Sequence, residues 1–454
     1  MIDEVFYLKG CDDLVARAKD VLERPFSMNY LKLLFQGAIV GLLTGGIVSC
    51  FRWIIDHTLQ LLFWWYLYLE KHLSYVLVYA LFLVAISWLL SKILKYDLTN
   101  LVGSGVPQVE AILLGQNSYA PWQILWRKFV GGLLAICPGL FLGREGPCIQ
   151  MGACVGQGLA NDVFKTSKKD QQTLLLAGVA AGLAAAFSAP LAGVLFMVEE
   201  ITTTFKPQIW LTALAAALSS DLMTLVLLGQ KPSLAMYITP FVGEPNYLFL
   251  LILGIIIGIL AYGYQYVLLE QRYLYSKLNF LPKRYHSLIP LLLTIPLGLW
   301  NAKLLGGSHV FISYVTDMSL TTTDPSAILK LLVLFFIVRF IFSMISYGAS
   351  VPGGIFMPIL ALGAVIGCFA GLLGVNAGWL EHGQVLGVIL ISMAAYFGAI
   401  EKAPFTAIVL LTEMAGSLAS VFPLVFVTFI AYTVDTLLGG RPIYTALREE
   451  MQFK

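Results

Sequence analysis

Gly143-Arg144-Glu145-Gly146-Pro147-Cys148-Ile149-Gln150-Met151-Gly152 sets an arginine and a glutamate between two long apolar runs and opens the second run on a Gly-Pro pair. Proline suits the first helical position, because its ring presets φ and its missing N–H has no intrahelical partner there. The spacing predicts a helix starting near Pro147, with its unpaired N–H groups aimed back at Glu145. Such an end carries about half a positive charge and attracts anions. In water this is an ordinary cap. Inside a bilayer it is an anion site with a titratable carboxylate at its mouth.

The rest of the chain supplies the bilayer. Of 454 residues, 59% are hydrophobic and 12% charged, against about 45–50% and about 25% in soluble domains. Stretches 74–94, 208–228, 246–266 and 327–347 carry little or no charge, and several reach the roughly 20 residues that a crossing needs. The chain therefore reads as an all-α polytopic membrane protein. A net charge of +2 leaves no nucleic-acid footprint. Cys11, Cys50, Cys137, Cys148, Cys154 and Cys368 form no CxxC pair and lie mostly in apolar runs, so they read as small buried hydrophobes. No metal site and no cofactor are expected. The N-terminus lacks a signal-peptide pattern; residues 12–24 alternate charged and apolar positions, as a short surface helix or a solvated tail would.

Five segments are expected: a cytoplasmic tail at 1–29, a first transmembrane repeat at 30–230, a connector at 231–246, a second repeat at 247–439 and a C-terminal helix at 440–454 carrying Tyr444. In the first repeat, apolar helices are read at 31–56, 60–69 and 74–95. The repeat rests on three matches in the same order along both halves. Gly37-x3-Gly41 matches Gly254-x3-Gly258, and Pro147-x4-Gly152-x3-Gly156 matches Pro358-x4-Gly363-x3-Gly367. Ala189-Pro190 with Glu199 matches Ala403-Pro404 with Glu413. The offsets are 217, 211 and 214. One GxxxG match is common among membrane helices; three in order imply duplication. Duplicated halves with broken helices are how many transporters build a mid-membrane substrate site. These spacings do not say whether the halves are inverted.

Three breaks put glycines before apolar helix starts: Gly103-Ser104-Gly105-Val106-Pro107, the opening stretch, and Pro352-Gly353-Gly354-Ile355-Phe356-Met357-Pro358. Non-helical backbone at membrane depth is tolerated only when buried in protein or lining a cavity. The three are either ordinary surface turns or elements converging on one anion, with Ser104 adding a hydroxyl. Glu199-Glu200 closes an apolar helix, where an intramembrane acid costs on the order of 2.5–3.5 kcal/mol; the alternative is a helix end in cytoplasmic water. Glu110 and Lys128 are buried-charge candidates that could pair.

In that order, and followed by Tyr444 after Gly439-Gly440-Arg441-Pro442-Ile443, the three breaks resemble the CLC family of chloride channels and chloride/proton antiporters, from about residue 30 to 450. The resemblance implies two inverted repeats of broken and tilted helices, a homodimer with an anion path in each subunit, and both termini in the cytoplasm of a prokaryote's inner or plasma membrane. It also implies the site. Ser104 and Tyr444, the backbone of Ile355 and Phe356, and Gly146 bind chloride, with bromide tolerated. Glu145 is the gate that carries the proton, Arg144 supports it, Glu200 relays protons from the cytoplasm, and Glu199 lines the approach. Glu413, the repeat partner of Glu199, is expected to be structural. Two positions depart from the pattern: Ser350 stands where glycine is expected, and Met357 where alanine is frequent.

The expected function is exchange of chloride for protons, driven through the lipid bilayer by no cofactor. The alternatives are a passive chloride channel of the same fold, which typically lacks an acid at the Glu200 position, or an antiporter for fluoride or nitrate, which typically differs at Ser104. An enzyme is not expected: His57, His72, His286, His309 and His382 lie at or near segment ends, and the glycines around Ser104 lack nucleophile-elbow spacing. Only ten residues follow Tyr444, so nucleotide regulation through large C-terminal domains is not expected.

Overall fold

The computed structural model describes residues 28–202, 204–229, 247–277, 281–321, 325–417, 421–451 and 453. The expected surface helix at 12–24 and the connector at 231–246 lie outside them. The described residues are helical, with two isolated backbone bridges and no strand. In chain order the helices are α1 Met28–Lys71, α2 Val76–Leu94, α3 Leu98–Leu101, α4 Val106–Leu113, α5 Pro121–Ile136, α6 Glu145–Gly158, α7 Lys168–Phe187, α8 Pro190–Phe196 and α9 Pro207–Leu228. The second half holds α10 Tyr247–Ser276, α11 Leu288–Asn301, α12 His309–Thr321, α13 Pro325–Gly348, α14 Phe356–Asn376, α15 Val385–Glu401, α16 Pro404–Ala415, α17 Val421–Leu437 and α18 Ile443–Glu449. Among the described residues eight helical segments are long and apolar enough to cross a membrane.

Two expected helices, 31–56 and 60–69, are one: α1 runs unbroken for 44 residues. His57-Thr58-Leu59 holds neither glycine nor proline, so nothing there interrupts the hydrogen-bond ladder. At 1.5 Å per residue α1 is about 66 Å long, twice the hydrocarbon thickness. It must tilt or project beyond the bilayer.

The internal repeat appears as matched packing. Gly41 on α1 lies against the Ala216 carbonyl of α9, and Gly258 on α10 lies against the Ala431 carbonyl of α17. Gly152 and Gly156 of α6 lie against the backbone of α7, as Gly363 and Gly367 of α14 do against α15. In each case a missing side chain lets two backbones meet, the means of attraction available where lipid removes the hydrophobic drive between helices. α7 and α15 even end alike, on left-handed residues Ser188 (φ 54°) and Lys402 (φ 60°) before Ala-Pro.

The third matched pair fixes the symmetry. Glu199, in the π-helical turn Met197–Thr202 that extends α8, accepts hydrogen bonds from the Phe405 and Thr406 amides (3.2 and 2.8 Å) at the start of α16. Glu413, near the end of α16, accepts from Leu191 and Ala192 (3.1 and 2.9 Å) at the start of α8. Each helix caps the beginning of the other, so the two run antiparallel about a two-fold axis perpendicular to both. For helices that run across the bilayer such an axis lies in the membrane plane, and the two halves are then inverted.

Candidate anion site

The same two-fold passes through the centre of the molecule. Gly143 and Gly354, equivalent in the repeat, exchange a pair of backbone hydrogen bonds: Gly143 N donates to Gly354 O at 2.7 Å and Gly354 N to Gly143 O at 2.8 Å. The Gly103 amide donates to the Val351 carbonyl (2.9 Å), and the Gly353 amide to the Gly103 carbonyl (3.1 Å). All three breaks are thus sewn together by main chain, and the helices α4, α6 and α14 start from one knot. The surface-turn alternative does not hold, since every residue from 103 to 111 and from 139 to 156 is buried.

Each of these starts leaves donors open. The first intrahelical bond of α6 runs from Cys148 to Arg144, and that of α14 from Ile359 to Ile355. The amides of Glu145, Gly146, Phe356 and Met357 therefore have no intrahelical acceptor, and no N-cap side chain binds the first turn of α6 or α14. α6 begins at Glu145, two residues earlier than Pro147 predicted. A proline is harmless anywhere in the first turn, where its N–H would be unbonded in any case; Pro358 occupies the same third position of α14. Two glycines make the knot possible. Gly105 takes φ 95° at the start of α4, and a Cβ on Gly146 would stand 2.6 Å from that of Ser104.

Glu145 is fully buried, and neither carboxylate oxygen has a hydrogen-bond partner. One oxygen lies over the open face of Gly143, where an added Cβ would also stand 3.1 Å from the Met357 amide nitrogen. The carboxylate is therefore folded into the starts of α6 and α14. The other oxygen is 3.9 Å from Arg144 Nε and 3.8 Å from His309 Nε2. Arg144 itself is held by Asp56 at 2.6 Å and lies 3.3 Å from His309 Nε2. Asp56, Arg144 and His309 line a cavity of about 610 Å³. His309, Asp56 and their link to Arg144 were not foreseen; only the position of His309 at a helix start hinted at it.

Ser104 is fully buried and its oxygen accepts from the Val106 amide at 3.3 Å. Tyr444, the second residue of α18, is also fully buried, and its hydroxyl has no hydrogen-bond partner. Its ring meets Phe196 edge-on at 6.4 Å, and Phe196 in turn packs on Phe356 at 5.6 Å. Phe187 and Phe397 close the other sides of Phe356, at 5.5 and 4.3 Å. Together these rings form an aromatic wall beside Tyr444. The backbone of Ile355 and Phe356 sits at the start of α14, as expected. Of the two departures, Met357 turns only its amide toward Gly143, whereas Ser350 adopts φ 55°, the region that explains an expected glycine.

A second cavity, of about 440 Å³, is lined by Glu110, Glu200, Lys169, Lys206, Thr445 and Arg448. The π-helical turn explains how adjacent acids diverge: Glu199 turns to the start of α16 while Glu200 turns into this cavity. Glu199 was expected to line the approach; its carboxylate is instead held by α16. The suggested Glu110–Lys128 pair does not form. Glu110 faces Arg448 at 3.6 Å, while Lys128 reaches back to the carbonyls of Leu101 and Gly103 at 3.0 and 2.8 Å. Lys128 is fully buried against the Ser104 loop.

An inverted pair of helical repeats, joined by open helix starts and flanked by a polar cavity on each side, is the architecture of a membrane transport protein. The sequence model of the family described as "Voltage gated chloride channel" matches residues 81–436, and the chain belongs to that family, the CLC proteins. It is similar to the H(+)/Cl(−) exchange transporter ClcA of Vibrio campbellii, 32% identical over 432 residues that cover 91% of this chain and 88% of that one. The protein of that name from Vibrio parahaemolyticus is 33% identical over 440 residues, 93% and 89% of the two chains. Among solved structures, one described as a slow cyanobacterial Cl−/H+ antiporter matches with a TM-score of 0.81 and 28% identity, over 92% of this chain and 97% of that one. A CLC-type fluoride/proton antiporter shares the fold, with a TM-score of 0.72 and 21% identity over 91% and 98%.

Proposed function

We propose that this protein exchanges chloride for protons across the membrane. The observation that carries the reading is the buried Glu145 carboxylate, free of hydrogen bonds and lodged among open helix starts, with a second acid, Glu200, in a separate cavity that this reading places on the inner, cytoplasmic side. Donors arranged for an anion do not distinguish chloride from a carboxylate, so the two compete for the same positive backbone. In this reading chloride is bound by Ser104, Tyr444, Gly146 and the amides of Ile355 and Phe356. Protons enter through Glu200 and reach Glu145. Protonation removes the Glu145 charge and releases the side chain, and chloride then takes its place. Arg144 holds the positive field at the outer mouth. The same reading makes the protein a homodimer of the inner or plasma membrane of a prokaryote, with cytoplasmic termini and bromide accepted in place of chloride.

Reconstituted liposomes test it. A chloride gradient imposed on the wild-type protein drives protons uphill, and exchange accelerates as pH falls, because protonation vacates the Glu145 position. Glu145→Gln keeps chloride flux and loses proton transport to the detection limit. Chloride flux through the wild type with no proton movement would instead establish a passive channel.

A further inference from the structure

The inner half of the site holds a carboxylate that the family motifs do not contain. Glu401 closes α15 after a run with no other charge. It is fully buried, and neither carboxylate oxygen has a hydrogen-bond partner. Its equivalent in the first repeat, at the same distance before the Ala-Pro pair, is Phe187. Only one half carries an acid here, and that half faces Tyr444.

The cations nearby are engaged elsewhere. Lys402 pairs with Asp435 at 2.5 Å and donates to the Thr436 hydroxyl at 2.7 Å. Arg448 of α18 faces Glu110, and His309 of α12 faces Glu145 and Arg144. Among the described residues none forms an ion pair with Glu401. On α10, Gln265 donates to the Ile400 carbonyl at 2.8 Å, and on α16 Glu413 is held by the α8 amides. On α14 the only titratable side chain, Cys368, lies against the Val315 carbonyl. What lies within electrostatic reach of Glu401 is therefore a set of acids and phenols: Glu110, Glu200, Tyr264 and Tyr444. The Tyr444 hydroxyl is turned to the carboxylate without closing a hydrogen bond of good geometry.

We infer that Glu401 is a proton-binding site linked to the inner anion position, so that chloride bound at Tyr444 is accompanied by a proton on Glu401 supplied from the inner cavity by way of Glu200. An ionised Glu401 and a chloride at Tyr444 would be two like charges sharing one dry compartment with no counter-ion, and such pairs do not ionise together. The proton moves as H⁺ from a Glu200 carboxyl to the Glu401 carboxylate, which leaves Glu200 to be reprotonated from the cavity water. The inference rests on the anion site proposed above, and it adds a second point where proton and anion meet, independent of Glu145.

Calorimetric chloride titrations of the purified full chain, run in two buffers of different ionisation enthalpy, read protons taken up per chloride. In Glu145→Gln, where the gate carboxylate is gone, uptake persists and chloride affinity falls with rising pH by up to about tenfold per unit. In Glu145→Gln/Glu401→Gln uptake disappears and affinity becomes independent of pH; Glu401→Asp in the same background retains the dependence with a displaced midpoint. Should the Glu401→Gln protein not fold, chloride-induced infrared difference spectra of Glu145→Gln serve instead: a protonated-carboxyl band appears with chloride and survives Glu110→Gln and Glu200→Gln. No proton uptake in Glu145→Gln, when the wild type exchanges in liposomes, overturns the inference alone. Uptake that Glu401→Gln leaves intact and Glu110→Gln or Glu200→Gln abolishes does the same. Absence of chloride binding to both wild type and Glu145→Gln overturns the inference and the proposed function together.

Discussion

The two repeats share a backbone and differ in side chains where it matters. Gly143 and Gly354 pair with one another across the axis, and Glu199 and Glu413 cap each other's repeat with near-identical distances. At the equivalent positions beside them, Arg144 and Glu145 answer to Ile355 and Phe356, Glu200 answers to Met414, and Phe187 answers to Glu401. The symmetric atoms are amides, carbonyls and caps, which build a cavity for an anion. The asymmetric ones are titratable in one half and apolar in the other. A perfectly symmetric molecule would treat its two cavities alike; the substitutions give one cavity an arginine beside the proposed gate, and the other a set of acids. In the proposed exchange, the direction of proton supply is therefore a side-chain property laid over an undirected scaffold.

Making the halves alike at one position should break the coupling most severely. Glu200→Met copies Met414 onto the first repeat; proton transport is expected to fall to background while chloride still passes, measured by parallel proton and chloride fluxes in liposomes. A smaller effect is expected from the caps, and here the halves should respond equally. Glu199→Ala and Glu413→Ala each orphan two amides at a helix start and should each destabilise the protein by about 2 kcal/mol. Thermal unfolding in detergent checks this; losses differing by more than about 1 kcal/mol would show that the two caps are not equivalent. The smallest change concerns a residue that breaks the expected pattern. Ser350→Gly relieves a left-handed conformation that costs about 1–2 kcal/mol in an L-residue, less the entropy that glycine gains when unfolded. A net stabilisation of about 0.5 kcal/mol should appear in the same melts.

Much of this was legible in the sequence because the bilayer makes exceptions conspicuous. Glycine, proline and charge are rare inside long apolar runs, so the breaks at Ser104, Glu145 and Ile355 stood out, and the spacing of small residues exposed the duplication. What stayed hidden depended on distance in space. Glu401 precedes Lys402 at a helix end and reads like any solvated terminus, although its apolar repeat partner, Phe187, was a usable clue. Glu110 meets Arg448 and not Lys128 because α18 returns to α4 only in the folded chain. Local composition could not predict that Glu199 and Glu200, neighbours in sequence, would serve a cap and a cavity; the π-helical turn that parts them has no plain signature. The continuity of α1 was missed for a simpler reason: its length exceeds what one crossing requires.

Bromide is an electron-rich stand-in for chloride, and its anomalous scattering locates it without interpretation of weak density. Crystals of the wild type soaked in bromide should show a peak beside Ser104 and Tyr444, and crystals of Glu145→Gln should gain a further peak over Gly143, where the carboxylate lay. No bromide beside Ser104 and Tyr444 in either crystal, or a Glu145→Gln peak remote from the starts of α6 and α14, would contradict the claim that anion and carboxylate compete for one set of helix starts.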